Sequence, residues 1–227
     1  MKTLGIIIPL YNEEETIDEM INNVQEMQSG EYKKFIYLIN DASIDETKKK
    51  ITNLKKSYAN IKLINNDINL GQNEGLKKSI QYIEKHDIYL TLDGDNQHPT
   101  NNIHKYIKKF IEENLDFYHG RKIQEDGKES ILRRTASIIA TIILRIIYIN
   151  KDIESTNFFI FNNKTKKIIS KLKTKNSLSV EILNKHKYLN IMFFKYVVNN
   201  RLRGESKYSF NKRLKLFIGL ISDRFKI

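Results

Sequence analysis

Cysteine is absent from the 227 residues, so disulfide frameworks and thiolate metal sites are excluded. Proline occurs only twice. No Gly/Pro/Ser-rich linker divides the chain, and its length suits one sizeable core. Long hydrophobic runs are missing as well. The longest, Ile138–Ile149, holds about a dozen residues with Arg145 inside it, against roughly 20 for a helix that spans a bilayer. The stretch Met1–Leu10 is too short and too soon interrupted to be a signal peptide. These absences predict a chain that is cytoplasmic or lies on a membrane and does not cross one. Negative charge is scarce: 39 Lys and Arg stand against 27 Asp and Glu, giving +12 and a pI near 9.5. Such an excess favours polyanionic partners, whether nucleic acid, an anionic membrane face or phosphorylated substrates, without selecting among them.

What is present is an alternation of short apolar runs and amphipathic stretches. Leu4–Ile8, Phe35–Ile39, Ile61–Ile64 and Ile88–Leu92 read as buried strands. Between them, Ile17, Met20, Ile21 and Val24 recur at helical spacing, and a helix is expected from the Asn69–Gly75 turn through Ile83. Strands alternating with helices predict an α/β fold with a mostly parallel, doubly wound sheet flanked by helices. Asn12 is expected to cap the first helix, with Glu13–Glu15 complementing its positive end, and Ser43 or Asp45 the second. Beyond Pro99 the pattern loosens. Ile103, Tyr106, Ile107 and Phe110 mark an amphipathic helix; Asp116–His119, Phe158–Phe161 and Phe193–Val198 are later strands. Ile131–Ile149 reads as an apolar helix punctuated by Arg133, Arg134 and Arg145, and 212–227 as a short basic amphipathic helix.

Chemistry collects at the ends of the early strands. The run Ile88–Leu92 ends in Asp93 and Asp95, separated only by Gly94. Both carboxylates can turn towards one hard cation or a sugar nucleotide, and in open α/β sheets ligands bind at the carboxyl ends of strands. Asp93–Pro99 stands in order with Pro9–Glu13, Asn40–Thr47 and Asn69–Gly71. This ordered set resembles the family 2 glycosyltransferases, which have the GT-A fold. The family's Pro-x-Tyr-Asn-Glu opening is matched at Pro9–Glu13. Its Asp/Asn-Asp-Gly-Ser-x-Asp-x-Thr element is matched at Asn40–Thr47, with Ala42 in the glycine position. Its Asn-x-Gly and Asp-x-Asp elements are matched at Asn69–Gly71 and Asp93–Asp95. The extended Asp93–Pro99 segment and Arg201–Tyr208 are similar to the dolichol-phosphate mannose synthase and undecaprenyl-phosphate glycosyltransferase group. Gly120-Arg121 corresponds to that group's Gly-Ser-Arg motif, and Asp152 with Ser155–Phe159 to its Asp-x-x-Ser-Gly-Phe segment, Thr156-Asn157 standing where glycine is expected.

The resemblance implies one glycosyltransferase domain over 1–211, with a nucleotide-sugar half at 1–100, an acceptor-side half at 101–211 and a basic tail at 212–227. It implies an inverting, metal-dependent transferase that moves a sugar from a nucleotide-diphosphate sugar to a polyprenyl phosphate. Asp95, with Asp93, would hold Mg2+ or Mn2+, hard cations suited to oxygen-only sites. Pro9, Tyr11, Asn12, Glu13, Asn40, Asp41, Asn69, Gly71, Asp93 and Gln97 would bind the donor, Asp41 receiving a base N–H. Arg121, Arg201, Ser206 and Lys207 would grip phosphate oxygens, Arg201 as a fork and Lys207 as a point charge. Asp93, Asp95, Asp152 and Arg201 are the catalytic candidates, with Asp152 orienting the acceptor. His98 reads as a structural loop histidine and is left out of the metal site. The expected location is the cytoplasmic face of a membrane with an anionic surface, with a small integral-membrane protein as a partner. A saccharide acceptor is the alternative within the same chemistry. A non-catalytic nucleic-acid-binding protein is the rival from another class; no RNA-binding motif supports it, and no nucleic acid is expected as a partner.

Overall fold

A computed structural model describes residues 1–123, 139, 142–143, 145–147, 156–172, 177–198, 218–219 and 221–222. In chain order its elements are β1 (Thr3–Leu10), α1 (Ile17–Glu26), β2 (Lys33–Asp41), α2 (Thr47–Ser57), β3 (Ile61–Asn66), α3 (Gln72–Ile80) and β4 (Ile88–Thr91), followed by α4 (Ile103–Glu112), β5 (Phe117–Ile123), β6 (Phe159–Phe161), α5 (Asn163–Ile169), α6 (Leu178–Lys185) and β7 (Ile191–Val197). The strands form one seven-stranded sheet in the order β3-β2-β1-β4-β6-β5-β7. β3, β2, β1 and β4 are mutually parallel, β6 runs antiparallel to both β4 and β5, and β7 pairs parallel with β5.

Strand residues alternate between two cores, as a period of two demands. On one face Leu4, Ile6, Ile8, Ile36, Leu38, Ile88 and Leu90 pack with Ile17, Met20, Ile21 and Val24 of α1, Ile51 of α2, and Ile103, Ile107 and Phe110 of α4. On the other, Ile7, Tyr37, Ile39, Tyr89, Phe117, Phe159 and Phe161 meet Leu76 and Ile80 of α3, Ile169 of α5, and Leu178 and Ile182 of α6. Helices cover both faces, so the sheet is doubly wound, and the strands are near-continuous apolar runs for that reason.

Local expectations needed three corrections. β1 does not end at Ile8 but continues through Pro9 to Leu10, paired there with Ile39 and Asn40 of β2, while β4 stops opposite Ile7. The missing N–H of Pro9 therefore interrupts no ladder bond on that side. The helix after Gly71 ends at Ile80, where Tyr82 and Ile83 close the last turn with bonds to Ser79 and Ile80 carbonyls. Asn12 caps no helix: α1 begins at Ile17 with Thr16 before it and no side-chain cap. At its other end α1 carries no basic residue of its own, and Lys34 of β2 reaches over to donate to the Val24 and Met27 carbonyl oxygens at 3.1 and 2.9 Å.

No helix among the described residues is long and apolar enough to cross a membrane. Within the expected apolar helix, residues 139, 142–143 and 145–147 are helical. Ile139, Ile142, Ile143 and Ile146 are exposed there, by 51, 49, 36 and 69%. Residues 218–219 and 221–222 of the expected basic tail are helical too.

Candidate active site

β1, β2 and β3 outrun β4 at their carboxyl ends, leaving a step on which their loops meet. These loops are stitched together by side chains. Asn12, at φ 53°, donates its N–H to Ser43 Oγ at 3.0 Å and accepts the Ile44 N–H on its own Oδ1 at 3.0 Å. The Glu13 N–H donates to Thr47 Oγ1 at 2.8 Å, and the Glu14 N–H to Asp45 Oδ2 at 3.2 Å. Asp45 Oδ1 also accepts the first N–H of α2, from Thr47, at 3.0 Å, although the N-cap position itself is held by Glu46 and not by Ser43 or Asp45 as expected. Burial raises the Asp45 carboxyl, and the hydrogen bonds from Thr47 and Glu14 outweigh it, so the group titrates below the usual range.

Asp41, at the end of β2 and 4% exposed, organises the next loop. Its Oδ1 accepts from Asn66 Nδ2 at 2.8 Å and from the Leu70 N–H at 3.1 Å, and its Oδ2 from the Gly71 N–H at 2.8 Å. Gly71 takes φ 78°, a conformation open to glycine at little cost, and that turn aims both N–H groups at the carboxylate. Asn40, one residue earlier, accepts from the Ser43 N–H and donates to Asn65 Oδ1. Asn69 Nδ2 donates to the Asp41 carbonyl oxygen.

Asp93 and Asp95 follow β4. Gly94 lies against β1 so closely that a Cβ there would come within 2.5 Å of Leu10 Cδ2 and 3.0 Å of the Pro9 carbonyl oxygen. The absent side chain thus lets the carboxylate loop press onto the Pro9–Glu13 segment. Gln72, the first residue of α3, donates its amide to Asp93 Oδ1. The Asp93 N–H donates to His98 Nδ1 at 3.0 Å, and His98 Nε2 stands 3.4 Å from Asp93 Oδ2. His98 is in turn stacked on Phe158 with centroids 4.4 Å apart and meets Tyr196 edge-on. Asp95 Oδ1 accepts the Gln97 N–H at 3.2 Å.

The Asp93 side chain keeps 31% exposure. Enclosure raises its carboxyl above the usual range; His98 and Gln72 work against the rise, while the negative charges of Asp95 and Glu13 add to it. Crowded carboxylates of this kind are relieved by a cation. Among the described residues no group of three or more His, Cys, Asp or Glu is disposed to cage an ion. Mg2+ and Mn2+ do not require one, since one or two carboxylates together with substrate phosphates suffice. The donor set of Asp93 and Asp95 fits such an ion.

Of the expected site residues, Glu13, Asp41, Asn69, Gly71, Asp93, Asp95 and Gln97 lie on this one edge, with Pro9, Tyr11, Asn12 and Asn40 beside them. Arg121 is two strands away on β5, its guanidinium stacked 3.7 Å from the Phe193 ring centroid. Asp152, Arg201, Ser206 and Lys207 lie outside the described residues. Gln72 was given no role in the sequence reading, and Thr47 only a place at the end of a matched motif. Thr47 sits inside the Asn40–Thr47 element, where a signal existed. The contact of Gln72 with Asp93 depends on sheet order and has no local signature.

Residues 5–190 match the family model described as glycosyl transferase family 2. A dolichol-phosphate mannosyltransferase of Pyrococcus furiosus is 26% identical over 212 residues, covering 90% of this chain and 58% of that protein. An undecaprenyl-phosphate 4-deoxy-4-formamido-L-arabinose transferase of Klebsiella pneumoniae is 26% identical over 141 residues, covering 60% and 41%. The chain spans about half to two thirds of the length of the first curated relatives it matches. In fold, glucosyl-3-phosphoglycerate synthase from Mycobacterium tuberculosis, crystallised with Mn2+, UDP and glucosyl-3-phosphoglycerate, superposes with a TM-score of 0.70 at 14% identity, covering 98% of this chain and 80% of that one. With its strand-end motifs on one edge and a family match over most of its length, the chain belongs to glycosyl transferase family 2 and has the GT-A fold.

Proposed function

We propose that this protein moves a sugar from a nucleoside-diphosphate donor to a polyprenyl phosphate at the cytoplasmic face of a membrane, with inversion at the anomeric carbon. The observation that carries the reading is the meeting of Pro9–Glu13, Asn40–Thr47, Asn69–Gln72 and Asp93–Gln97 on one sheet edge, bonded to one another. The similarity to a dolichol-phosphate mannosyltransferase over 90% of the chain supports the acceptor class.

In this reading Pro9, Tyr11, Asn12, Glu13 and Asn40 line the nucleotide pocket, with Asp41 at the base and Asn69, Gly71 and Gln97 flanking it. Asp95 holds Mg2+ or Mn2+, and Asp93 shares the ion or meets the ribose. Once bound, the ion neutralises charge developing on the leaving diphosphate. Arg121, Arg201, Ser206 and Lys207 take phosphate oxygens, and Asp152 orients the acceptor. A phosphate oxygen of the acceptor attacks the anomeric carbon while the bond to the diphosphate breaks, and the nucleoside diphosphate departs. That oxygen is already anionic near neutral pH, so no strong general base is required.

The stripe Ile139, Ile142, Ile143 and Ile146 falls at i, i+3, i+4 and i+7, one face of a helix, and is exposed. With the net charge of +12 it supports docking of the chain on an anionic membrane surface, with the 212–227 tail as a second contact beyond a catalytic domain at 1–211. A small integral-membrane protein is proposed as a partner, since no helix among the described residues is long and apolar enough to cross a membrane. Transfer of radiolabelled sugar from UDP and GDP sugars into organic-extractable undecaprenyl phosphate, with Mg2+ or Mn2+, tests the reading. Lipid product that falls roughly 10²–10³-fold in Asp95→Ala is the expected result. Nucleotide binding without lipid product would move the acceptor to a saccharide.

A further inference from the structure

The assignment of Asp41 to the nucleotide base has a consequence for which base it accepts, and the inference rests on that proposed role. An ionised carboxylate offers four acceptor positions, two on each oxygen. Three of those of Asp41 are occupied within the fold. Oδ1 takes two donors, Asn66 Nδ2 at 2.8 Å and the Leu70 N–H at 3.1 Å, which fills it. Oδ2 takes one, the Gly71 N–H at 2.8 Å. The occupied positions are not readily vacated. Leu70 and Gly71 are backbone donors of the turn that starts α3, and Asn66 is buried on the neighbouring strand. Gly75 seals the arrangement from the helix side, where a Cβ would come within 3.2 Å of Asp41 Oδ1 and 3.3 Å of Asn66 Nδ2.

We infer that this site selects a pyrimidine nucleoside diphosphate of the uridine type over a guanosine nucleotide, because Asp41 has one acceptor position left. The uracil imide presents one N–H and is satisfied by the single place on Oδ2. Guanine presents its N1–H and an N2–H side by side, a fork that fits a carboxylate with both oxygens open. At Asp41 one arm of that fork meets an oxygen already carrying two hydrogen bonds, and a donor is left buried without a partner. Sites that strand a polar group in this way discriminate strongly.

Calorimetric titration of the full chain with UDP and with GDP, each with Mn2+, tests this without requiring an acceptor. UDP is expected to bind at least roughly ten-fold more tightly than GDP. Asn66→Ala reopens one position on Oδ1 and is expected to narrow that ratio by strengthening GDP relative to UDP. GDP binding as tight as UDP, or tighter, in the unaltered chain overturns the inference and leaves the glycosyl-transfer reading standing. Failure of both nucleotides to bind overturns the two together. Should Asn66→Ala not fold, the ratio in the unaltered chain decides by itself.

Discussion

The two halves of the sheet hold their loops by different physics. In the β1–β4 half the strands are parallel and mostly aliphatic, with Phe35, Tyr37 and Tyr89 as exceptions, and the loops beyond them are fixed by short polar side chains bonded to the backbone of a neighbouring loop. Asn12, Ser43, Asp45, Thr47 and Asp41 all act this way. In the β5–β7 half aromatic rings take over. Phe158 touches Tyr106, Phe194, Tyr196 and His98, and Phe117, His119 and Phe159 stack beside one another on the opposite face. Directional bonds give a pocket whose acceptors and donors are counted out, as a nucleotide needs. A ring cluster gives a stiff wall with little polar selectivity. His98 joins the two, holding the Asp93 backbone with one edge of its ring while its face lies on Phe158.

Altering one half at a time would break this contrast or sharpen it. The largest effect is expected from Phe158→Ala, since the ring is fully buried against four others. Chemical denaturation should show a loss of about 3–5 kcal/mol. Asn12→Ala, which removes the side-chain bond to the Ile44 N–H in the other half and places alanine at φ 53°, should cost about 1–2 kcal/mol while weakening nucleotide binding. Equal stability losses from the two would contradict the contrast.

The clearest pH effect is expected from the aromatic half. His119 is fully buried, and burial, with the Arg121 charge beside it, lowers its imidazole from 6.5 to about 3. Between those values the unfolded chain binds a proton that the folded chain refuses, so stability falls as pH is lowered through that window. Above 6.5 neither form is protonated and the effect vanishes. Denaturation midpoints for His119→Phe should therefore fall less steeply from pH 6.5 downward than those of the unaltered chain. Some slope will remain, because burial lowers His86 as well.

The smallest effect is reserved for the loop half. Ala42 occupies φ 56°, where the family pattern has glycine and where a Cβ is strained. Ala42→Gly should raise stability by roughly 0.5–1 kcal/mol in the same denaturation assay, with Asn40 and Asp41 undisturbed. A loss instead would mean that the loop's cross-bonds have already absorbed the strain.

The residue pattern alone determined the alternation of strands and helices and the doubly wound sheet, because continuous apolar runs and helical stripes are local; the family was legible in the resemblance of four ordered motifs, which strand ends bring to one edge whatever their separation in sequence. All seven strands were legible in this way, β1 and β5 short by a few residues. Asn12 was legible as important but not in its role: a cap and a cross-loop bond use the same side chain, and only the neighbouring loop decides between them. His98, read as structural, proves to be both that and a direct partner of Asp93. The grip of Gln72 on Asp93, the filled Oδ1 of Asp41 and the ring wall under His98 were decided by tertiary structure. Each joins residues far apart in the chain through the order β2-β1-β4-β6, and sheet order is set by how the helices cover both faces, which no local pattern encodes.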